Sequence, residues 1–182
     1  MDIWGPARAG NEYVERARAL APTIEAFADQ IERDRRLADP VLDALFEAGM
    51  FRLLLPRSLH GAEVDPVTFV TVIEEIAKAD ASTAWCLCQA AGCAMSAAYL
   101  PPDVALDVFG KDPRSVLAWG PGPDARAVAV EGGYRVTGMW SFASGCRHAT
   151  WLGGHAPVCE PDGTFRRNGA GKIIERTMLI PA

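Results

Sequence analysis

The sequence predicts an α+β fold in which an all-helical part is followed by an antiparallel β part. Up to about Gly110, apolar residues recur every three or four positions, which is the spacing of amphipathic helices. After Gly110 the period changes to two, and turn-forming residues separate short segments. We therefore expect two domains, a helical one over residues 1–110 and a β one over residues 111–182.

The first two helices are predicted from apolar spacing and capping residues. An amphipathic pattern covers residues 11–36, and Pro22 inside it predicts a kink or a restart. A second helix is expected to begin at Asp39, because an aspartate N-cap followed by proline is a common helix start. Gly49 stands where a glycine would end that helix.

The rest of the helical part contains an uncharged stretch that raises the question of a membrane span. It follows an apolar run over residues 51–55, which is expected to be extended, and a third helix that begins at Asp65. Residues 81–102 carry no charge and could cross a bilayer, which takes about 20 residues. The stretch is rich in small and polar residues and lacks flanking lysine or arginine. We therefore expect a helix over residues 82–99 that is buried on all sides, and no membrane partner.

Five strands are predicted in the second part. They are Ser115–Trp119, Ala127–Glu131, Tyr134–Met139, Thr150–Val158 and Lys172–Ile180. Because clefts where two domains meet are preferred ligand sites, a ligand is expected between the helical and the β part.

Composition and missing motifs exclude several partners. The net charge of −5 argues against nucleic acid. Five cysteines without disulfide spacing, and no basic-then-apolar leader, predict a reducing cytoplasm. The cysteines and histidines lack the paired spacing of metal ligands, so no metal is expected. A Gly-x-Gly-x-x-Gly or Walker-type loop is also absent, which argues against nicotinamide or ATP binding.

Residues 132–151 are the strongest candidate for a ligand site. A Gly-Gly turn leads into an alternating strand, then to Trp140 and the Ser144-Gly145 corner. An indole, an approachable glycine and a hydroxyl suit the face and edge of a flat aromatic cofactor. His148 lies four residues after Ser144 and would share its face on a strand. Two alternatives stay open: the tryptophan packs a β core, and the histidine is structural.

Four segments together resemble the acyl-CoA dehydrogenase superfamily. They are FRLLLP at residues 51–56, HGAEVDP at 60–66, AWC at 84–86 and GMWSFASGCRHA at 138–149. More narrowly, the chain resembles the flavin-dependent hydroxylases of that superfamily, which use reduced flavin and oxygen on aromatic or steroid-derived substrates. The resemblance covers residues 11–182, and the segment from Trp140 to His148 is its most specific part.

The resemblance implies a helical domain, a middle β domain of barrel-like form and a C-terminal four-helix bundle. The printed sequence ends at Ala182, so the β domain is expected to be incomplete and the bundle absent. A flavin, FAD or FMN, would lie between the β domain and the bundle.

The resemblance also assigns residues to the flavin. Trp140 would stand beside the isoalloxazine, and Ser144, or the adjacent backbone, would hydrogen-bond near its N5 edge. Trp119 and Gly120 match the neighbouring segment that approaches the flavin. The candidate flavin-binding residues are Trp119, Gly120, Trp140, Ser144 and Gly145, and the candidate catalytic residues are Ser144 and His148.

The function implied is a monooxygenase that hydroxylates a small molecule, with a flavin reductase as partner. A hydroxylase must keep its oxygen chemistry dry and polarise a phenol, which suits the hydroxyl and imidazole at residues 144–148. Acyl-CoA desaturation with FAD is an alternative, but its glutamate base usually lies in the bundle and no residue here takes that role. Hydroxylases often have a histidine where this chain has Cys93. A third alternative is an inactive, truncated flavin-binding or interaction module. Because the missing bundle would leave apolar surface uncovered, the chain is expected to form a homo-oligomer.

Overall fold

The structure is a computed structural model that describes residues 8–182, with side chains from Glu12 onward, and it contains two compact units. The first extends to Val116 and the second covers Leu117–Ala182. The predicted order, helices first and strands second, is confirmed. The predicted division after residue 110 falls at the end of the last helical turn, Leu106–Gly110.

The first unit is helical throughout its regular structure. Its α-helices are α1 (Arg8–Asp34), α2 (Asp39–Glu47), α3 (Pro66–Ala79), α4 (Ala81–Ala94) and α5 (Pro102–Ala105). Short 3₁₀ turns cover Met50–Arg52, Arg57–Leu59 and Met95–Tyr99, and a π turn covers Leu106–Gly110.

Helix α1 packs against α3 through an apolar stripe with helical spacing. The buried residues of this stripe are Val14, Ala17, Leu20, Ile24 and Ile31. On α3, Val72 and Ile76 are fully buried, and burying each such side chain contributes about 1.5–3 kcal/mol. Helix α1 runs through Pro22 without the predicted restart, because the residues buried on either side of the proline hold one continuous helix.

The two predicted aspartate caps differ in the structure. Asp65 is the N-cap of α3, and its Oδ1 accepts hydrogen bonds from the main-chain N–H groups of Val67 and Thr68, both at 3.0 Å. These bonds, together with one from the Thr68 hydroxyl, lower the pKa of Asp65. At α2 the predicted cap is wrong, because Ala38 is the N-cap and Asp39 is the first helical residue. Gly49, as predicted, follows this helix in the left-handed conformation with φ of 74°.

The segment 51–55 is not extended, and this prediction is wrong. Phe51, Leu53 and Leu55 are buried in alternation, which imitates a strand. The main chain instead makes a 3₁₀ turn at Met50–Arg52 after the left-handed Gly49. Arg52 then donates hydrogen bonds to the main-chain oxygens of Leu59 and, at 3.2 Å, of Phe109, so burial and carbonyl contacts decide the conformation.

Helix α4 is not buried on all sides within the described chain. Its core face includes Thr83, Leu87 and Ala91. The opposite face carries Trp85, which is 58% exposed, and the following turn exposes 88% of Tyr99. The lack of charged residues in this helix therefore did not mean that all of its sides are buried. Among residues 8–182, no helix is long and apolar enough to cross a membrane.

The second unit is a five-stranded sheet in the region of the five predicted strands. The strands are β1 (Leu117–Gly120), β2 (Arg126–Val130), β3 (Gly133–Thr137), β4 (Trp151–Cys159) and β5 (Glu175–Pro181). Strands β2 and β3 form an antiparallel hairpin, and β5 is antiparallel to β4. A small core of Ala125, Ala127 and Ala156 lies beneath the hairpin.

The sheet is mixed, which corrects the prediction of an antiparallel β part. Strand β1 is parallel to β4, with Leu117 opposite Trp151 and Gly120 opposite Gly154. Strand β2 is also parallel to β4. Parallel pairing needs a long crossover, and the β2–β3 hairpin together with the segment after it supplies one between β1 and β4. The long β4 is therefore the strand on which the unit is assembled.

Candidate functional site

The indole of Trp140 lies in a space that three glycines leave open. A side-chain carbon added to Gly122, Gly138 or Gly154 would lie 2.5, 3.0 or 2.9 Å from an indole atom. The indole N–H donates a hydrogen bond to the main-chain oxygen of His155 at 3.0 Å. Trp140 is half-buried and packs on the alanine core of the sheet. One part of the indole is therefore fixed by packing, as in the alternative left open above.

Gly120, at the end of β1, lies directly against the turn that follows Trp140. A side-chain carbon added to it would overlap the main-chain oxygen of Ser141 and lie 3.0 Å from the nitrogen of Ala143. The Ser141 N–H also donates to the oxygen of Pro121 at 3.1 Å. The chain itself thus requires glycine at this position, because two segments meet here backbone to backbone.

Residues 141–148 form a compact turn rather than a strand. The N–H of Ser144 donates to the oxygen of Phe142 at 2.9 Å, and that of Cys146 donates to the oxygen of Ala143 at 3.0 Å. Phe142 and Gly145 both have positive φ, 55° and 85°. The expectation that Ser144 and His148 share a strand face is therefore wrong, although the turn keeps both in one short segment.

His148 packs its ring against Gly145. A side-chain carbon on Gly145 would lie 3.2 Å from Nε2 and 3.3 Å from Cε1 of the imidazole, and the His148 N–H donates to the oxygen of Gly145 at 3.1 Å. Burial lowers the pKa of His148 to about 4, because an apolar environment disfavours the charged imidazolium. The ring is therefore uncharged at neutral pH.

Large apolar side chains project to solvent around this turn. Phe142 is 90% exposed, Met139 78% and Trp119 48%. Gly120 follows Trp119, and a side-chain carbon added to it would lie against Ser141 and Ala143, the residues on either side of Phe142. We call these three exposed side chains, Trp119, Met139 and Phe142, the 119–142 surface, and Ser144 follows Phe142 by two residues in the same turn.

Sequence reasoning missed Phe142 and Met139. Both lie within the Trp140 motif, but their exposure depends on backbone angles that composition does not reveal. A bulky residue with positive φ is a rare outlier, and such strain clusters at functional sites. Within the described chain, no three His, Cys, Asp or Glu side chains are grouped to hold a metal ion.

The class of protein follows from the fold and from a match to a known family. The family model for the N-terminal domain of acyl-CoA dehydrogenases matches residues 11–100. The chain belongs to the acyl-CoA dehydrogenase superfamily, as predicted from its motifs.

The similar curated proteins are flavin-dependent monooxygenases. The chain is 36% identical over 143 residues to the flavin-dependent monooxygenase oxygenase subunit HsaA of Rhodococcus jostii, covering 78% of this chain and 37% of that protein. It is 32% identical over 178 residues to the indole-3-acetate monooxygenase of Pseudomonas putida, covering 91% and 42%. The chain thus spans less than half the length of these relatives.

Solved structures agree with this similarity. The 3-HSA hydroxylase from Rhodococcus sp. RHA1 superimposes with a TM-score of 0.82 at 33% identity, over 93% of this chain and 43% of that one. XiaF from Streptomyces sp., solved with FADH2 and glycerol, superimposes with a TM-score of 0.87 at 28% identity, over 96% and 42%. The predicted fold class and its hydroxylase branch are confirmed.

Proposed function

We propose that this chain contributes the helical and β units of a reduced-flavin monooxygenase that hydroxylates an aromatic or steroid-derived small molecule. The observation that carries this proposal is the turn 141–148, in which the Ser144 N–H donates to the oxygen of Phe142, an exposed residue of the 119–142 surface. The relatives named above are monooxygenases, and a resorcinol hydroxylase from Rhizobium, described as FADH2-dependent, is 32% identical.

The residues present fit a planar redox ring. Exposed aromatic and thioether side chains give such a ring an apolar face, and a hydroxyl at the rim gives it a hydrogen-bond donor. Of the five flavin-binding candidates, Trp119 offers an exposed indole face, whereas Trp140 supports the wall from the alanine core. Gly120 and Gly145 act by shaping the turn. When bound as FAD or FMN, the reduced flavin would supply the electrons that activate oxygen.

Ser144 acts through its hydroxyl in this proposal. Its main-chain N–H already donates to Phe142, so the backbone alternative named above would require that bond to break. The catalytic part of His148 stays a prediction. An uncharged imidazole can hydrogen-bond a phenolic substrate, but with a pKa near 4 it is a weak base at neutral pH.

A flavin reductase is the proposed partner. The sequence has no dinucleotide-binding motif with which the chain could draw electrons from a nicotinamide cofactor. Relatives named as an oxygenase subunit or an oxygenase component support delivery of reduced flavin by a separate protein. The second partner is the small-molecule substrate.

Oxygenation is preferred to acyl-CoA desaturation because the relatives named above are monooxygenases. Residues 132–159 contain no aspartate or glutamate. The segment offers hydroxyl, imidazole and aromatic groups instead.

The test titrates the chain with FAD and FMN, oxidised and anaerobically reduced, and compares it with Ser144→Ala. We then expect label from ¹⁸O₂ in hydroxylated indole-3-acetate or resorcinol when a flavin reductase is supplied. If an acyl-CoA bleaches the absorbance of the bound oxidised flavin, the chain belongs to an acyl-CoA dehydrogenase and the monooxygenase proposal fails. A chain that binds neither flavin would leave only the inactive module.

A further inference from the structure

We propose that His148 is a positioning residue for Ser144, which packs its ring against the Cα of Gly145 and thereby fixes the turn that presents the serine hydroxyl. The inference rests on the proposed function, because it takes Ser144 to be the group that meets the flavin. It assigns His148 a part that is separate from direct contact with flavin or substrate.

The first observation is the closeness of the ring to Gly145. A side-chain carbon added to Gly145 would be crowded, because it would lie 3.2 and 3.3 Å from two atoms of the imidazole. Gly145 also has φ of 85°, a conformation that favours glycine. The imidazole therefore stands in the space beside the residue that follows Ser144.

The second observation is how the turn is closed. Main-chain bonds within the turn run from Ser144 to Phe142, from Cys146 to Ala143 and from His148 to Gly145, and a bond from Ser141 to Pro121 holds its start. Phe142 sits in a left-handed conformation that costs a bulky residue free energy. His148 closes the far end of the turn.

The third observation is the chemical state of the ring. Burial lowers the pKa of His148 to about 4, so the ring packs as an uncharged, planar group at neutral pH. Packing of this kind depends on ring shape. We therefore expect His148→Phe to keep the positioning effect and His148→Ala to lose it.

The first experiment measures amide hydrogen exchange of the full 182-residue chain by NMR, without flavin. His148→Ala is expected to speed exchange at Ser144 and Cys146 about tenfold or more, with β4 unchanged, and His148→Phe is expected to restore slow exchange. His155→Ala is the matched control, because that side chain contacts Thr177 and Glu175. Unchanged exchange at the turn, or equally faster exchange throughout the sheet, would overturn the inference.

The second experiment is a double-mutant cycle on flavin dissociation constants. Ser144→Ala and His148→Ala are each expected to weaken flavin binding about 2- to 12-fold, the range for one lost hydrogen bond. In a chain that already carries Ser144→Ala, adding His148→Ala is expected to weaken flavin binding by less than about 2-fold further, because the effect of His148 passes through the serine. Additive losses, or a His148→Phe variant as weak as His148→Ala, would contradict the positioning role. If the wild type binds no flavin, the proposed function fails, while the exchange experiment still decides whether His148 holds the turn.

Discussion

The indole N–H of Trp140 and the main-chain oxygen of His155 are joined by a 3.0 Å hydrogen bond that ties the candidate site to β4. The bond crosses from the segment after β3 to the central strand of the sheet. Trp140 is therefore part of the packing of the sheet, and any contact that it makes with a flavin extends from this core.

Replacing Trp140 tests its structural role in the sheet. Trp140→Phe keeps an aromatic ring but removes the donor, and we expect the free energy of unfolding to fall by about 1–3 kcal/mol, since the part-buried bond to the oxygen of His155 is lost. The measurement is equilibrium unfolding in urea. Tyr99→Phe, at an exposed position just after α4, is the control and should change stability by less than about 0.5 kcal/mol. Equal effects of the two substitutions would refute the structural part of Trp140.

Gly120→Ala is expected to destabilise the second unit by about 1–3 kcal/mol or more, because the new carbon overlaps the Ser141 carbonyl. Gly169→Ala is the matched control, since nothing lies within 4 Å of its added carbon. Thermal unfolding followed by circular dichroism measures both. A tolerated Gly120→Ala would show that β1 and the turn do not meet as described.

Phe142→Asn is expected to raise the free energy of unfolding by up to about 1 kcal/mol, because asparagine tolerates positive φ better than phenylalanine. The same change removes an aromatic group from the 119–142 surface, so flavin should bind more weakly. Opposite shifts in stability and affinity would identify strain retained for binding. If Phe142→Asn lowers both the free energy of unfolding and the affinity for flavin, strain at Phe142 is ruled out.

The pKa of His148 predicts a pH-dependent stability. The unfolded chain binds a proton near pH 6.5 and the native chain near pH 4, so the unfolded state holds more protons between these values. The free energy of unfolding should therefore fall as the pH is lowered from 6.5 to about 4, and His148→Phe should remove this part of the dependence. Urea unfolding at several pH values compares the two proteins.

Carboxylates provide the background to this comparison. The pKa values of Asp65, Glu75 and Glu160 are lowered, mainly by hydrogen bonds to Thr68, Arg18 and Arg166. Their stabilisation is also lost as the pH falls, in the wild type and the variant alike. Identical slopes for the two proteins between pH 6.5 and 4 would show that His148 is not buried in solution.

The exposed side of α4 and the turn after it predicts self-association. Met95 is 51% exposed and Tyr99 88%, although both are large and apolar in character. We expect light scattering to show a homo-oligomer, and Met95→Gln with Tyr99→Ser to shift it toward the monomer. Val130→Thr, an exposed position of β2, is the control. A wild-type monomer would make the exposed face irrelevant to assembly.

Local chemistry made much of the fold predictable. Asp65 followed by proline marks the start of α3 because a carboxylate satisfies the first free N–H groups of a helix. The five strands lie where period-two segments alternate with turns. Such signals depend on residues only a few positions apart, so they can be recognised in a single sequence. The same reasoning failed at residues 51–55, where alternating burial belongs to a 3₁₀ turn held by Arg52.

The sequence by itself determined the order of helices and strands, the family, and the segment from Trp140 to His148 as the one to examine. Only the tertiary structure decided that β1 and β2 run parallel to β4, that Gly120 is needed by Ser141, and that the histidine ring lies on Gly145. The physical reason is range. Helix caps and turns follow from adjacent residues, whereas strand direction and side-chain contacts depend on groups brought together from distant parts of the chain.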